Sequence, residues 1–438
     1  MIKTVSELIT IEIPEWKSLT INNITLTRDD EELVEQIAEK VSVDNLKEGV
    51  RINAKSWVGV IRFSQFEVHI IPKLAGGYCG LVKMIEFACG LQLLRWLSKD
   101  RMIKIEKSND LYDLVALLLV EECEKLLSAG LLSDYIEIES DIPVLRGRFL
   151  TSKQITKRFG EIDRLECRYD EYLKDIPENQ IIEAALSFCA RRIKNEELLM
   201  RCRYLYSVFS EACSTNEIVM LQKIRENLTY NRLNEYYRTA HILAWHILDG
   251  LGINDIYVTH DRRCFAFLFD MNKLFEEFIY KYLQKTLEKT NFIIRDQFSI
   301  KSIIYQSDSD HRYKNIRPDF IIQAKNNIGT KLPIDAKYVL IENNNVPRDI
   351  CYQIFIYAYA LGRKDTSVIP SAAFIFPSAS EETNPISLSI NVNGKKEACI
   401  KGFGLHILTA IREVEENRFG LNSASKQIME FIWRNLVM

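Results

Sequence analysis

The stretch that decides the fold is NIRPDFIIQAKNNIGTKLPIDAKYVL, residues 315–340. Two short apolar runs flank the turn-forming segment NNIGTK, and this pattern predicts two antiparallel strands joined as a hairpin. Asp319 follows a proline at the start of the first strand, and Asp335 and Lys337 lie in the second. Because alternate side chains of a strand point to the same face, Asp335 and Lys337 are expected to project together. The hairpin is expected to bring Asp319 to the same end of the sheet.

Two acids on otherwise apolar strands favour a bound metal ion, because a buried carboxylate is costly unless a cation compensates it. The stretch has no histidine or cysteine, and carboxylate oxygens suit Mg²⁺, which keeps several waters. Such an ion orients a phosphodiester, lowers the pKa of a bound water and stabilises charge on the leaving oxygen. We predict Mg²⁺, with Mn²⁺ able to substitute, on Asp319, Asp335 and Ala336, and Lys337 as the residue that assists the attacking water. The alternative is a surface ion pair at a strand edge, since Asp-x-Lys arises by chance about once or twice in a chain of this length.

Helices on either side of the hairpin add further candidates. Glu276 lies on a helix before the sheet, while Gln353 and Tyr357 are four residues apart on the helix after it and share one face. Glu276 and Gln353 are included in the predicted catalytic set. The alternatives are a solvated position for Glu276, and a surface amide and helix packing for Gln353 and Tyr357. The order helix, three strands, helix, strand predicts an α/β domain with a small central mixed sheet flanked by helices.

Composition indicates a soluble globular protein of two or three domains. The chain has 438 residues, of which 47% are hydrophobic and 27% charged. No apolar run approaches the ~20 residues of a membrane span, and the N-terminal sequence lacks a signal-peptide core. The ten cysteines form no Cys-x-x-Cys pair and the six histidines are dispersed, which favours buried reduced thiols over disulfides or a zinc site. The predicted location is the cytoplasm, without membrane contact.

The formal net charge of −3 limits how strongly the chain by itself can bind nucleic acid. A protein that binds duplex DNA by itself usually carries a strong basic excess, so either the basic surface is local or a partner delivers the DNA. A local basic cluster is present: Arg146, Arg148, Lys153, Lys157 and Arg158. These residues are interpreted either as contacts to phosphates or to a partner's nucleotide site, in the manner of an arginine finger, or as a solvated charged face.

Changes of hydrophobic period give three predicted domains. Residues 1–145 are β-rich over about the first 75 residues and then helical, an α+β arrangement; Glu67 and His69 alternate there with apolar residues, which predicts a half-buried strand. Residues 146–260 form a mostly helical middle region, and residues 261–438 form the α/β domain with the acidic pair.

The acid pair, the lysine and the flanking helices resemble the PD-(D/E)xK nuclease superfamily. Other short motifs follow one another through the chain: Val58-Gly59-Val60-Ile61, Ile71-Pro72-Lys73, Arg146-Gly147-Arg148, Gln154, Cys167, Tyr169, Asp170, Asn179, Met271-Asn272, Leu274-Phe275-Glu276, Arg317-Pro318-Asp319, Asp335-Ala336-Lys337, Asp349 and Tyr352-Gln353. Together they resemble McrC, the nuclease subunit of McrBC-type modification-dependent restriction systems, and the C-terminal half matches best.

The resemblance implies a partner. McrC-like proteins cleave DNA together with McrB, an AAA+ GTPase that assembles into hexameric rings and recognises methylated cytosine. It also implies that the N-terminal domain docks into the ring and stimulates GTP hydrolysis. The chain has no Gly-x-x-x-x-Gly-Lys-Ser/Thr phosphate loop, so nucleotide hydrolysis belongs to another subunit.

Three functions stay open on the sequence. The first is an Mg²⁺-dependent endodeoxyribonuclease subunit of a 5-methylcytosine-directed antiviral restriction complex, which meets double-stranded DNA mainly through the assembly. The second is a non-catalytic adaptor that activates the AAA+ GTPase, and the third is a stand-alone PD-(D/E)xK repair or defence nuclease. The acid–acid–lysine set favours the first over the adaptor, because an adaptor has no need for these charges together.

Overall fold

A computed structural model describes residues 9–89, 111–161, 163–213, 218–251, 264–296, 300–305, 312–361, 369–418 and 423–436. The strands are β1 Ile9–Pro14, β2 Ser18–Asn22, β3 Ser42–Leu46, β4 Gly49–Asn53, β5 Trp57–Arg62, β6 Phe66–Ile71, β7 Asp134–Ile142, β8 Arg148–Phe149, β9 Leu165–Leu173, β10 Phe265–Asp270, β11 Phe292–Asp296, β12 Ile300–Tyr305, β13 Arg312–Ile316, β14 Phe320–Ala324, β15 Asn327–Ala336, β16 Ser371–Pro377, β17 Ile386–Val392 and β18 Lys395–Leu405. The helices are α1 Arg28–Ile37, α2 Gly77–Cys89, α3 Leu111–Ala129, α4 Thr151–Lys157, α5 Pro177–Arg192, α6 Glu196–Ala212, α7 Ile218–Asn227, α8 Arg238–Leu251, α9 Met271–Leu287, α10 Arg348–Leu361, α11 Ile407–Glu415 and α12 Ser423–Leu436, with a 3-10 helix at Glu235–Tyr237. None of these described helices has both the length and the apolar character needed to cross a membrane.

Contacts divide the chain into two compact units. The discontinuous unit combines Met1–Asp110 with Arg263–Met438, and the helical unit is the continuous segment Leu111–Arg262. This division differs from the three predicted domains, because β10 pairs with β5 and so joins a sheet that the N-terminal segment begins. A change of hydrophobic period marks where a strand starts, but it does not reveal which sheet the strand joins.

The N-terminal part of the discontinuous unit contains a four-stranded sheet in the order β1-β6-β5-β10. Residues 66–70 of the internal strand β6 are all buried, so the prediction of a half-buried strand there is wrong. Glu67 accepts a hydrogen bond from Arg62 Nε at 2.6 Å, and His69 Nε2 lies 2.5 Å from the other Glu67 oxygen. Alternation of polar and apolar residues was a poor guide to exposure here, because the polar side chains bind one another inside the protein.

Helix α1 was not among the elements predicted for the first 75 residues. Thr27 caps the helix, and the Asp30 carboxylate accepts a hydrogen bond from the Thr27 N–H at 2.9 Å. Asp30 also accepts from the Ser64 N–H at 2.7 Å, which ties the helix to the turn between β5 and β6. The sequence did contain a signal, since Thr-x-x-Asp before an amphipathic run is a capping box.

The C-terminal part of the discontinuous unit is built on a six-stranded mixed sheet in the order β11-β14-β15-β16-β18-β17. β14 and β15 form the predicted antiparallel hairpin, but the turn lies at residues 325–326, and residues 327–331 of the predicted turn segment belong to β15. β15 and β16 run parallel, as do β16 and β18. Helices α9, α10 and α12 contact β15. The fold is therefore mixed α/β, although β17, β18 and the last two helices were not predicted.

The helical unit packs α5 against α6 and α8, and α3 against α6 and α8. Its small sheet has the order β7-β9-β8, and β9 was not predicted. His241 is fully buried, with ring nitrogens 2.9 Å from the Glu178 carbonyl oxygen and 2.9 Å from Tyr230 Oη. These contacts make His241 a buried residue of the core with both ring nitrogens in hydrogen bonds.

Candidate functional site

The hairpin of β14 and β15 places the two predicted acids side by side. Phe320 pairs with Ile334, so the next residues outward, Asp319 and Asp335, lie opposite each other at the end away from the turn. The Asp319 N–H donates to Asp335 Oδ1 at 3.3 Å. The Ala336 N–H donates to Asp319 Oδ2 at 2.8 Å. Each carboxylate is therefore held by the backbone of the opposite strand.

Lys337 joins the two acids directly after β15 ends. Its Nζ lies 2.6 Å from Asp335 Oδ2, and Asp335 is only 1% exposed. The approach of the amine does not follow a hydrogen-bond direction, so Asp335 Oδ2 has an ion-pair partner but no hydrogen-bond donor. The result is a buried carboxylate oxygen held by an ion pair alone.

The negative charges of Asp319 and Asp335 repel each other. Burial raises the pKa of Asp319 well above its ordinary value, and the charges of Asp335 and, less strongly, Glu276 raise it further. One lysine faces the buried Asp335 and the partly buried Asp319, so either a proton or an additional cation is needed to balance the charge.

The helices bring the other predicted residues toward this point in different ways. Glu276, on α9, is close enough for its charge to act on Asp319. On α10, Gln353 Nε2 donates to Tyr357 Oη at 2.8 Å, and Tyr357 Oη donates to the carbonyl oxygen of Arg317 at 3.0 Å. Burial, followed by the charge of Asp335, raises the pKa of Tyr357 to about 12. Gln353 and Tyr357 therefore secure the chain just before Asp319.

The donor set suits a hard cation with water ligands. Among the described residues, no group of three or more histidine, cysteine, aspartate or glutamate side chains is arranged to hold a metal ion. Mg²⁺ takes one or two carboxylates in proteins and keeps several waters. Asp319, Asp335 with its Oδ2 lacking a hydrogen bond, and the carbonyl of Ala336 fit that requirement.

One contact that the sequence did not predict is made by Tyr338, the residue after Lys337. Tyr338 is buried, and its hydroxyl donates to Glu15 Oε1 at 2.9 Å. Glu15 directly follows β1 and precedes Tyr338 by 323 residues in the chain. No local pattern could have revealed this pair, because it depends on how the two sheets of the discontinuous unit pack.

The basic cluster of the middle region lies in the helical unit, and several members are ion-paired. Lys153 pairs with Glu139, and Arg158 pairs with Asp141. Arg146 lies over the ring of Tyr169 at 4.4 Å. These contacts favour the interpretation of a charged, solvated face for the paired residues.

The fold and the site define a mixed α/β protein with an acidic pair and a lysine at the end of a sheet hairpin. The chain belongs to the family of McrBC 5-methylcytosine restriction system components, whose pattern it matches over residues 52–377, most of its length. The resemblance noted in the sequence is thereby confirmed.

Two solved structures are similar to this chain. One is the refined half-complex from a tetradecameric assembly of Thermococcus gammatolerans McrB AAA+ hexamers with bound McrC: the TM-score is 0.56 at 18% identity, covering 93% of this chain and 99% of that chain. At this identity the likeness concerns the fold alone. The other is the cryo-EM structure of the Thermococcus gammatolerans McrBC complex, with a TM-score of 0.43 at 20% identity, covering 66% of this chain and 89% of that chain. A search of curated proteins gave no match.

Proposed function

We propose that this chain is the DNA-cleaving subunit of a McrBC-type restriction complex, an Mg²⁺-dependent endodeoxyribonuclease with a PD-(D/E)xK site in its C-terminal sheet. The observation that carries the proposal is the meeting of Asp319, Asp335 and Lys337 at one end of the β14–β15 hairpin. A purely structural ion pair accounts for Lys337 and the buried Asp335, but not for Asp319, a second, partly buried acid beside them.

The residues of the site have separate roles in phosphodiester hydrolysis. Asp319, Asp335 and the Ala336 carbonyl hold the metal ion. When bound, Mg²⁺ supplies a polarised water and stabilises charge on the leaving oxygen. The Lys337 amine, 2.6 Å from Asp335, positions the attacking water and stabilises negative charge that develops on the phosphate oxygens. Tyr357 and Gln353 keep the segment before Asp319 in place.

We propose a McrB-like AAA+ GTPase hexamer as the partner, in the cytoplasm. The similar solved structure holds McrB AAA+ hexamers with bound McrC, and this chain carries no phosphate loop of its own. Recognition of 5-methylcytosine is assigned to the partner, which is consistent with a net charge of −3 on the cutting subunit. In this assignment the chain also stimulates the GTPase.

The test is cleavage of methylated DNA by the chain co-expressed with its neighbouring GTPase, with and without Mg²⁺. Asp335→Ala is expected to lower the cleavage rate by about two orders of magnitude or more, because it removes several kcal/mol of metal-dependent stabilisation. Partner binding and GTPase stimulation are expected to stay unchanged. Asp296→Ala, at an exposed position of the same sheet, is the matched control and is expected to cleave normally.

The outcomes separate the competing functions. Normal cleavage by Asp335→Ala would refute the site assignment. A wild-type chain that stimulates the GTPase but never cleaves would be a non-catalytic adaptor, and Mg²⁺-dependent cleavage without any partner would indicate a stand-alone nuclease.

A further inference from the structure

The peptide that carries Lys337 lies just beyond the regular part of the sheet. β15 ends at Ala336, and the Lys337 N–H donates to the carbonyl oxygen of Ile375 at 2.9 Å. The Lys337 carbonyl accepts from the Val339 N–H at 2.9 Å, which turns the chain. The regular strand pairing ends with this bond, so the carbonyl side of Lys337 is placed through the next residue, Tyr338.

Tyr338 is fixed from two sides. Its side chain is only 2% exposed, and its ring centroid lies 5.5 Å from that of Phe275, the residue before Glu276 on α9. Its hydroxyl donates to Glu15 Oε1 at 2.9 Å. Tyr338 therefore connects the loop after β15 to the helix beside the site and to the corner that follows β1.

The corner formed by Glu15 and Trp16 after β1 is energetically unfavourable when considered by itself. Glu15 is buried; its Oε1 accepts from the Leu74 N–H at 2.6 Å, while its Oε2 has no hydrogen-bond partner. Burial raises the pKa of this carboxyl to about 7. The next residue, Trp16, has a φ of 62°, in the left-handed region that tryptophan seldom adopts. Two costly features at successive residues point to a functional constraint at this corner.

We propose that Glu15 is a positioning residue of the candidate nuclease site: through Tyr338 it fixes the peptide that holds Lys337 beside Asp335. This inference rests on the proposed function. Loss of the Tyr338 hydroxyl bond frees the peptide to shift, and a displacement of about 1 Å is enough to slow a reaction substantially. The two carboxylates keep their own backbone hydrogen bonds, so metal binding does not depend on Glu15.

The chain offers a closely matched pair of variants. Tyr338→Phe removes the hydroxyl and keeps the ring against Phe275. Tyr282→Phe is the control, because Tyr282 is also fully buried in the discontinuous unit and its hydroxyl donates to a buried glutamate, Glu413, at 3.2 Å. Both changes remove one buried tyrosine–glutamate hydrogen bond, but only the first involves the residue next to Lys337.

The assay is single-turnover cleavage by the full chain in complex with its GTPase partner. Tyr338→Phe is expected to slow cleavage about tenfold, and Tyr282→Phe by less than about twofold. The thermal midpoints of the two variants are expected to be similar. Mn²⁺ affinity of Tyr338→Phe, measured on the chain by calorimetry, is expected to equal that of the wild type, which a collapsed site would not show.

Glu15 variants complete the test. Glu15→Gln keeps the Oε1 acceptor and is expected to cleave at nearly the wild-type rate, while Glu15→Ala is expected to match Tyr338→Phe. The Glu15→Ala and Tyr338→Phe double variant is expected to be no slower than either single variant, since both changes remove the same Tyr338–Glu15 hydrogen bond. Wild-type rates in Tyr338→Phe, or equal losses in the Tyr282→Phe control, would overturn the positioning role. Absence of Mg²⁺-dependent cleavage by the wild-type complex would instead overturn the proposed function on which this inference rests.

Discussion

At the scale of single residues, buried acids in the discontinuous unit differ in how their charge is compensated. Asp30 accepts hydrogen bonds from Thr27 and Ser64, and Glu67 binds Arg62. Asp335 has the nearby ammonium of Lys337 but an oxygen without a hydrogen-bond donor. The first two acids have a complete structural explanation. Asp335 does not, and this difference marks it as a candidate metal ligand.

Glu15 gives a prediction on pH. Burial raises its pKa from 4.5 to about 7, so the folded protein retains a proton that the unfolded chain releases. The stability that protonated Glu15 contributes is complete below about pH 4.5 and is lost as the pH rises through about 7. Relative to Glu15→Gln, we expect the wild type to lose up to about 3 kcal/mol of unfolding free energy between about pH 4.5 and 8, measured by urea denaturation.

The comparison with Glu15→Gln isolates this residue. Glutamine does not titrate, so the difference between the two proteins cancels the contributions of other groups with shifted pKa values, such as His241 and Asp319. A difference in unfolding free energy that stays constant across this pH range would contradict the assignment.

At the scale of elements, the pairing of β5 with β10 joins the two segments of the discontinuous unit. Gly59 on β5 lies opposite Leu268 on β10. A Cβ at Gly59 would lie 1.9 Å from the carbonyl oxygen of Phe267. The φ of Gly59 is 147°. β10 leads directly into α9, the helix that carries Glu276. The pairing therefore fixes where this helix begins.

Gly59→Ala is expected to disrupt this pairing. The added methyl group collides with backbone that cannot move aside, and we expect a loss of about 3 kcal/mol or more in unfolding free energy, read from thermal denaturation. Gly394→Ala is the control, because Gly394 has a φ of 76° but no atom within 4 Å of the added Cβ. That variant is expected to lose only about 1 kcal/mol. Equal losses in the two variants would show that backbone conformation, and not close approach of the strands, explains the glycine.

At the scale of the whole molecule, the chain builds one unit from its two ends and the other from its middle. Phe87 on α2 packs against Phe278 on α9, with ring centroids 5.2 Å apart, in addition to the β5–β10 pairing. Residues 263–438 therefore lack part of their core when residues 1–110 are absent.

Fragments test this organisation. Residues 111–262 alone are expected to unfold cooperatively in urea, while residues 263–438 alone are expected not to. Joining residues 1–110 to 263–438 through a flexible Gly/Ser linker of about 20 residues is expected to restore cooperative unfolding of the discontinuous unit. Circular dichroism and limited proteolysis provide the measurements. Cooperative folding of residues 263–438 alone would contradict the shared core.

The sequence could predict those features that depend on local pattern. Two apolar runs around a turn signal predicted the β14–β15 hairpin, and strand alternation predicted that Asp335 and Lys337 lie together. The turn itself was misplaced, because the chain turns at residues 325–326 and most of NNIGTK belongs to β15. Helical spacing likewise placed Gln353 and Tyr357 on one face. The capping box of α1 is a local signal of the same kind.

By itself, the sequence determined the hairpin, the acidic pair with its lysine, and the resemblance to McrC, because each is written in neighbouring residues or ordered motifs. Only the tertiary structure decided that β10 completes the N-terminal sheet, that Glu67 and His69 are buried, and that Glu15 meets Tyr338. These features join residues far apart in the chain. Local periodicity carries no information on such contacts, since they are selected by the packing of whole sheets and helices and not by the conformation of any one segment.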